Sequence, residues 1–153
     1  MIIFTWLIYL TSLQHEEVRD VFLSAFAPQG RSTLEELNEY FDKKVIPRFE
    51  KGQLVYCAFV KDKMIGFAIY EKWDEKSYYL AEMAIAPEFQ GQGIGKQLVF
   101  SILEKEPATS RILLVTEIMN LWSQAFYKKI GFKPSSFTHP DYPENFIGFE
   151  YTR

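Results

Sequence analysis

Sulfur and imidazole are scarce in this chain, which has one cysteine and two histidines among 153 residues. A single thiol cannot close an internal disulfide, and Cys57 lies inside the apolar run QLVYCAFV. It is therefore read as core packing in a protein suited to the reducing cytoplasm. No Cys and His spacing matches a metal-ligand pattern, so no metal is expected. Long apolar runs are missing as well. The opening MIIFTWLIYL is about half the length of a membrane span and has no positive residue ahead of it, so it is read as a first strand with no membrane partner. Basic tracts are absent, and a net charge of −3 offers phosphate backbones no general attraction. Nucleic acid is not an expected partner. Repeats and low-complexity segments are also lacking.

What is present is apolar and aromatic surface: 48% hydrophobic and 17% aromatic residues, enough for one sizeable core over residues 1–153 as a single domain. Helical spacing predicts a helix from about Leu13 to Phe26 with Ser12 as its cap. A second runs from Ser32 or Thr33 to about Ile46, stopped by Pro47, with Leu34, Leu37, Tyr40, Phe41 and Val45 as its apolar side. Gln53 to Lys61 and Met64 to Trp73 read as strands joined by the short hairpin link Asp62-Lys63. A further strand covers Ile112 to Glu117. Asn120 caps a helix from Leu121 to Ile130, whose expected core stripe is Leu121, Trp122, Ala125, Phe126 and Ile130, with Gly131 as its stop. Ser135 to Pro143 reads as a loop, and Asn145 to Thr152 as a last strand. The fold expected is mixed α/β, with about seven strands and about four helices.

The stretch around which these elements are arranged is YYLAEMAIAPEFQGQGIGKQLVFSILE, residues 78–104. An apolar strand ends at Pro87, a turn carries three glycines at alternate positions, and a helix begins near Gly93 with the stripe Ile94, Leu98, Val99, Ile102 and Leu103. Glycines there leave successive N–H groups uncovered at a helix start, which suits a phosphate. The letters fit neither a Walker loop, which would need glycine at Gln90 and Ser or Thr at Gln97, nor a dinucleotide fingerprint, which would need glycine at Lys96. A plain connecting turn is the other reading.

At these residues the chain resembles the GNAT superfamily of acetyl-CoA-dependent N-acetyltransferases, whose signature Q/R-x-x-G-x-G/A is filled by Gln90, Gly93 and Gly95. The strand ending Ala84-Ile85-Ala86-Pro87 and, downstream, Asn120, Tyr127, Gly131 and Phe132 follow the same family's order. The resemblance covers roughly Gln53 to Phe132 and implies acetyl-CoA as cosubstrate. It also implies a mostly antiparallel sheet with a parallel strand pair splayed around the pantetheine arm. It assigns the pyrophosphate to the backbone N–H groups of Gln92, Gly93, Gly95 and Lys96, with Gln90 at the entry. Backbone groups of Met83, Ala84 and Ile85 then meet the pantetheine and the acetyl oxygen, and Asn120 contacts the CoA arm. Tyr127 is matched to the tyrosine that protonates the departing thiolate, against a packing role. The early helical pair corresponds to the acceptor side, where Arg31, Glu35, Glu36, Glu39 and Asp42 either face substrate or form a solvated face.

Acyl transfer to an amine also needs a proton acceptor. Glu82 is the only acid in the organising strand, and a carboxylate there requires a wet or paired setting, so it is the candidate base or else a salt-bridged group. Glu117 is the second candidate, since the family's frequent carboxylate position holds Val115 here. His139 could reach an acceptor from its loop but reads as an ordinary surface residue, and His15 has less to support it. The resulting expectation is acetyl transfer to a primary amine by direct attack in a ternary complex. The acceptor is a small amine or a protein lysine or N-terminus, the acidic balance favours a small cationic amine over aminoacyl-tRNA, and a homodimer is compatible. Two other readings stand: a non-catalytic acyl-CoA-binding module and a structural interaction domain.

Overall fold

The computed structural model describes all residues from Met1 to Arg153. Seven strands, β1 (Ile3–Leu7), β2 (Leu54–Val60), β3 (Lys63–Asp74), β4 (Ser77–Ile85), β5 (Arg111–Glu117), β6 (Lys133–Ser135) and β7 (Phe146–Thr152), are ordered β1-β2-β3-β4-β5-β7-β6. The helices are α1 (Ser12–Phe26), α2 (Leu34–Tyr40), α3 (Ile46–Glu50), α4 (Ile94–Lys105) and α5 (Leu121–Lys129). A π-helical turn, Phe41–Val45, joins α2 to α3, so the chain has four helical runs. β4 and β5 are parallel, while β1/β2, β2/β3, β5/β7 and β6/β7 are antiparallel. This is the mixed α/β class expected, with α4 as the crossover that a parallel pair requires.

Two compact units share the strands: Met1–Glu71 with Ala81–Ser101, and Lys72–Leu80 with Ile102–Arg153. In the first, α1 and the α2–α3 run bury Val18, Phe22, Phe41 and Val45 with Val55, Phe67 and Ile69 of β2 and β3. Cys57 is fully enclosed there, and burial pushes its thiol up to about 12, so it packs as a small apolar side chain. Gly66 in β3 lets α4 come close: an added Cβ would stand 3.3 Å from Leu98 Cδ1 and 3.4 Å from the Ala84 carbonyl oxygen. The buried Tyr70 hydroxyl donates to the Leu98 and Val99 carbonyls of the same helix, tying its middle to β3. In the second unit Ile112, Leu113, Leu114, Phe132 and Phe149 form the interior.

Four local expectations change. Thr11, not Ser12, caps α1, in a reciprocal capping box with Gln14. The second helical run does not stop at Ile46: it continues through Pro47 to Glu50. Pro47 sits in the first turn of α3, where its missing N–H is tolerated, and the wider π turn ahead of it relieves the clash its ring would make with residue 43. In α5 the buried side is centred on Tyr127, with Ser123 and Gln124 half-buried beside it, whereas Leu121 and Trp122 of the expected stripe are 70% and 64% exposed and Ala125 is exposed too. Phe126 and Ile130 of the stripe are half-buried like Ser123 and Gln124, so the apolar letters identify part of the buried side and miss Tyr127 at its centre. Finally, Lys133–Ser135 is a short strand that the letters do not announce, and it takes Ser135 from the expected loop. Proline is allowed there because β6 is an edge.

Candidate active site

The glycine-rich turn lies in the first unit. Gly91 and Gly93 adopt φ of 78° and 83°, a conformation that strains any other residue, and nothing stands within 4 Å of where their Cβ atoms would be. Helical hydrogen bonding beyond the turn begins with the Gln97 N–H, which donates to the Gly93 carbonyl at 3.2 Å. The N–H groups of Ile94, Gly95 and Lys96 precede it and, by helix geometry, have no acceptor within α4. An open, exposed backbone surface with donors at a helix start fits a pyrophosphate, with the exposed Lys96 adding positive charge. Gln90 closes the turn onto the strand: its Nε2 donates to the Ile85 carbonyl at 2.9 Å. The ladder between β4 and β5 covers Ser77–Tyr79 against Arg111–Leu113. Met83, Ala84 and Ile85 lie beyond it, and their β4 backbone is not engaged in that ladder.

Glu82 sits just before those residues. Its Oε1 accepts a hydrogen bond from the Tyr40 hydroxyl at the end of α2, so a phenol is the group that touches this carboxyl. Burial pushes its pKa up to about 7, opposed by the Tyr40 hydrogen bond and by the positive field of Arg48. The Arg48 guanidinium, itself 6% exposed, reaches Glu71 Oε2 at 3.3 Å and Gln53 Oε1 at 3.4 Å. Neither Tyr40 nor Arg48 was singled out from the letters. Tyr40 reads as an apolar helix residue and Arg48 follows the proline that ends the pattern, so nothing local marks them.

The acidic run on the second helical stretch is largely a solvated face. Asp42 pairs with Arg19 at 2.5 Å and Glu39 with Lys43 at 2.5 Å, while Arg31 reaches Gln29. His15 stacks on Phe49.

The second unit holds the remaining candidates. Asn120 is a cap, its Oδ1 accepting from Ser123 N–H at 3.1 Å. Tyr127 is 9% exposed and its ring contacts Phe126, Phe132 and Phe149, so it packs in that interior instead of pointing away from it. Glu117 is exposed at the end of β5, with its carbonyl accepting from Gln124. His139 is not a surface residue: it is 7% exposed, stacked on Tyr79 with ring centroids 4.6 Å apart, and its Nδ1 accepts from Asp141 N–H. No group of three or more His, Cys, Asp or Glu side chains is placed to hold a metal ion, and no helix is long and apolar enough to cross a membrane.

The profile of the acetyltransferase (GNAT) family matches residues 15–132, and the chain belongs to that family. Its activity is that of the class, acetyl transfer from acetyl-CoA to an amine. Among known proteins it is similar to N-alpha-acetyltransferase 30 of Schizosaccharomyces pombe, 30% identical over 105 residues that span 63% of this chain and 70% of that one. It is also 34% identical over 68 residues to a putative [ribosomal protein bS18]-alanine N-acetyltransferase of Bacillus subtilis, 43% of this chain and 45% of the relative. In fold it matches the PaiA N-acetyltransferase of Thermoplasma acidophilum in complex with coenzyme A, with a TM-score of 0.82, 18% identity and coverage of 100% and 99% of the two chains.

Proposed function

We propose that this acetyltransferase acts on the free α-amine of a protein or peptide N-terminus, by direct attack on acetyl-CoA in a ternary complex with Glu82 as proton acceptor. The observation that carries the reading is the placing of Glu82, a half-buried carboxyl in β4 engaged by the Tyr40 hydroxyl and pushed up to about 7 by burial. A base works best when its pKa lies near the operating pH and near that of the group it deprotonates. An α-amine, with pKa about 8, is roughly one-tenth neutral at pH 7, whereas a lysine amine near 10.4 is neutral roughly once in two thousand. Glu82 is matched to the former. The names of the two sequence relatives, an N-alpha-acetyltransferase and a putative ribosomal-protein alanine N-acetyltransferase, support the same acceptor class. The paired state of Asp42 and Glu39 weighs against the small cationic amine, since part of the acidic face is already neutralised.

Acetyl-CoA supplies an activated acyl carbon and a thiolate leaving group. The turn binds: backbone N–H groups around Gln92, Gly93, Gly95 and Lys96 hold the pyrophosphate, while Met83, Ala84 and Ile85 offer strand groups to the pantetheine. Glu82 takes the proton lost from the amine nitrogen. For Tyr127 as donor to the departing sulfur, and Asn120 as a contact to the CoA arm, the support is the family resemblance. Cytoplasmic action agrees with the enclosed free thiol of Cys57.

The test is thiol release from acetyl-CoA with peptides bearing a free N-terminus, the same peptides N-terminally blocked but containing lysine, and spermidine. Turnover confined to the free N-termini, and reduced at least a hundredfold in Glu82→Gln, is the expected result. Equal rates on spermidine or blocked peptides would reject the acceptor, and an active Glu82→Gln would reject the base.

A further inference from the structure

The geometry points to Tyr40 as a positioning residue for Glu82: its phenol engages Oε1, fixes the plane of the carboxyl, and leaves Oε2 as the oxygen that receives the amine proton. This deepens the reading of Glu82 as base and rests on it for its catalytic meaning, although the Tyr40–Glu82 contact is independent of any acceptor.

Three features place Tyr40 there. It is the last residue of α2, immediately before the π turn Phe41–Val45, and such turns alter the direction of side chains on either side. Its ring lies nearly parallel to Phe22 of α1, 5.9 Å between centroids and 11° between planes, so the phenol is clamped by packing. Its hydroxyl donates across 42 residues of sequence to Glu82 in β4. A phenol that donates to a carboxylate favours the ionised form, because the bond is stronger to a charged acceptor. Around Glu82 the groups that act on its charge are Tyr40 from α2 and Arg48 from α3, and Arg48 is paired with Glu71 of β3. Arg48 acts through its field, whereas Tyr40 touches the carboxyl. Tyr40 therefore opposes burial and keeps the base titrating near neutrality instead of well above it.

The experiment is a carboxyl-carbon NMR titration of protein labelled with 13Cδ-glutamate, in which the Glu82 signal is the one missing from Glu82→Gln. In the wild type it should titrate near pH 7. Tyr40→Phe keeps the ring on Phe22 and removes only the hydroxyl, and the midpoint should rise by about one pH unit, a tenfold change in the ionisation constant. Incorporating 3-fluorotyrosine at position 40, a stronger donor that still holds its proton at pH 7, should lower it. In the thiol-release assay the acid limb of kcat/KM should follow the same order, with rates converging above the higher midpoint. A role in packing alone predicts no movement of either midpoint, and an unmoved Glu82 signal in both variants would overturn the assignment. If the signal moves but Glu82→Gln remains active, Tyr40 positions Glu82 while the base reading fails, so the two claims separate. A wild-type Glu82 signal near pH 4.5 would overturn the reading of Glu82 as a base tuned to neutrality, and an unmoved midpoint in Tyr40→Phe would still overturn the Tyr40 role.

Discussion

Replacing Glu82 with glutamine is expected to stabilise the fold while it removes activity, and only above the acid range. In the unfolded chain the carboxyl has its ordinary value of 4.5, and in the native state burial raises it to about 7. Between those values the native state holds a proton the unfolded chain has lost, so native stability falls as pH rises through that window and the loss is complete above it. At about 1.4 kcal/mol per pH unit the ceiling is roughly 3 kcal/mol, and relaxation and water entry reduce it. Glutamine keeps a carbonyl for the Tyr40 hydroxyl but carries no charge to desolvate. Urea unfolding of both proteins at pH 5 and pH 8 measures the difference. The variant's advantage should widen by roughly 2 kcal/mol from the lower to the higher pH, equivalent to a Tm gap of about 4–8 °C for a chain of this size. An advantage that is independent of pH, or a variant less stable at both, would refute the argument that Glu82 is held in a desolvated site.

Gly93→Asp should abolish acetyl-CoA binding in calorimetry, because it adds a negative charge at the turn, and it should also lower the melting temperature by a few degrees: its Cβ meets open space, but φ of 83° strains any residue other than glycine. Gly148→Ala should be far more damaging: an added Cβ would stand 2.1 Å from the Phe137 carbonyl oxygen and 3.1 Å from that of Ser135, backbone on both sides, and a loss of about 3 kcal/mol in urea unfolding is expected from overpacking of this kind. Tyr127→Phe should retain acetyl-CoA affinity and lose roughly tenfold to a hundredfold in kcat at neutral pH if the phenol is the thiolate's proton donor. An unchanged kcat would leave it a packing residue among Phe132 and Phe149.

Much of the sheet was legible because its punctuation is local. Lys61 and Asp62, with φ of 48° and 66°, form the tight hairpin turn between β2 and β3, one residue earlier than the link read at Asp62-Lys63. Pro87 and the glycines of residues 91–95 marked the end of β4 and the start of α4 with similar accuracy. The α5 face was only partly legible because its buried side is centred on Tyr127, with Ser123 and Gln124 as well as Phe126 and Ile130 half-buried, and the burial of His139 was not legible because its ring partners, Trp73 and Tyr79, come from distant strands. Glu82 was visible as an anomaly in an apolar strand. Its partner was not, since no rule of spacing links residue 40 to residue 82.

The π turn at Phe41–Val45 also has a bearing on chain length. A π turn is an α-helix with one residue inserted, so it sets the angular phase between the helical turns on its two sides. Tyr40 lies on one side of that insertion, and Arg48 and Phe49 on the other. Deleting a single residue from the turn would restore an unbroken helix and rotate the two halves by about 100° relative to one another. Phenol and guanidinium could not then both act on Glu82, even with every other side chain retained. In this segment the number of residues is as much a determinant of the site as their identity, and drift by insertion or deletion should be tolerated far less there than conservative substitution.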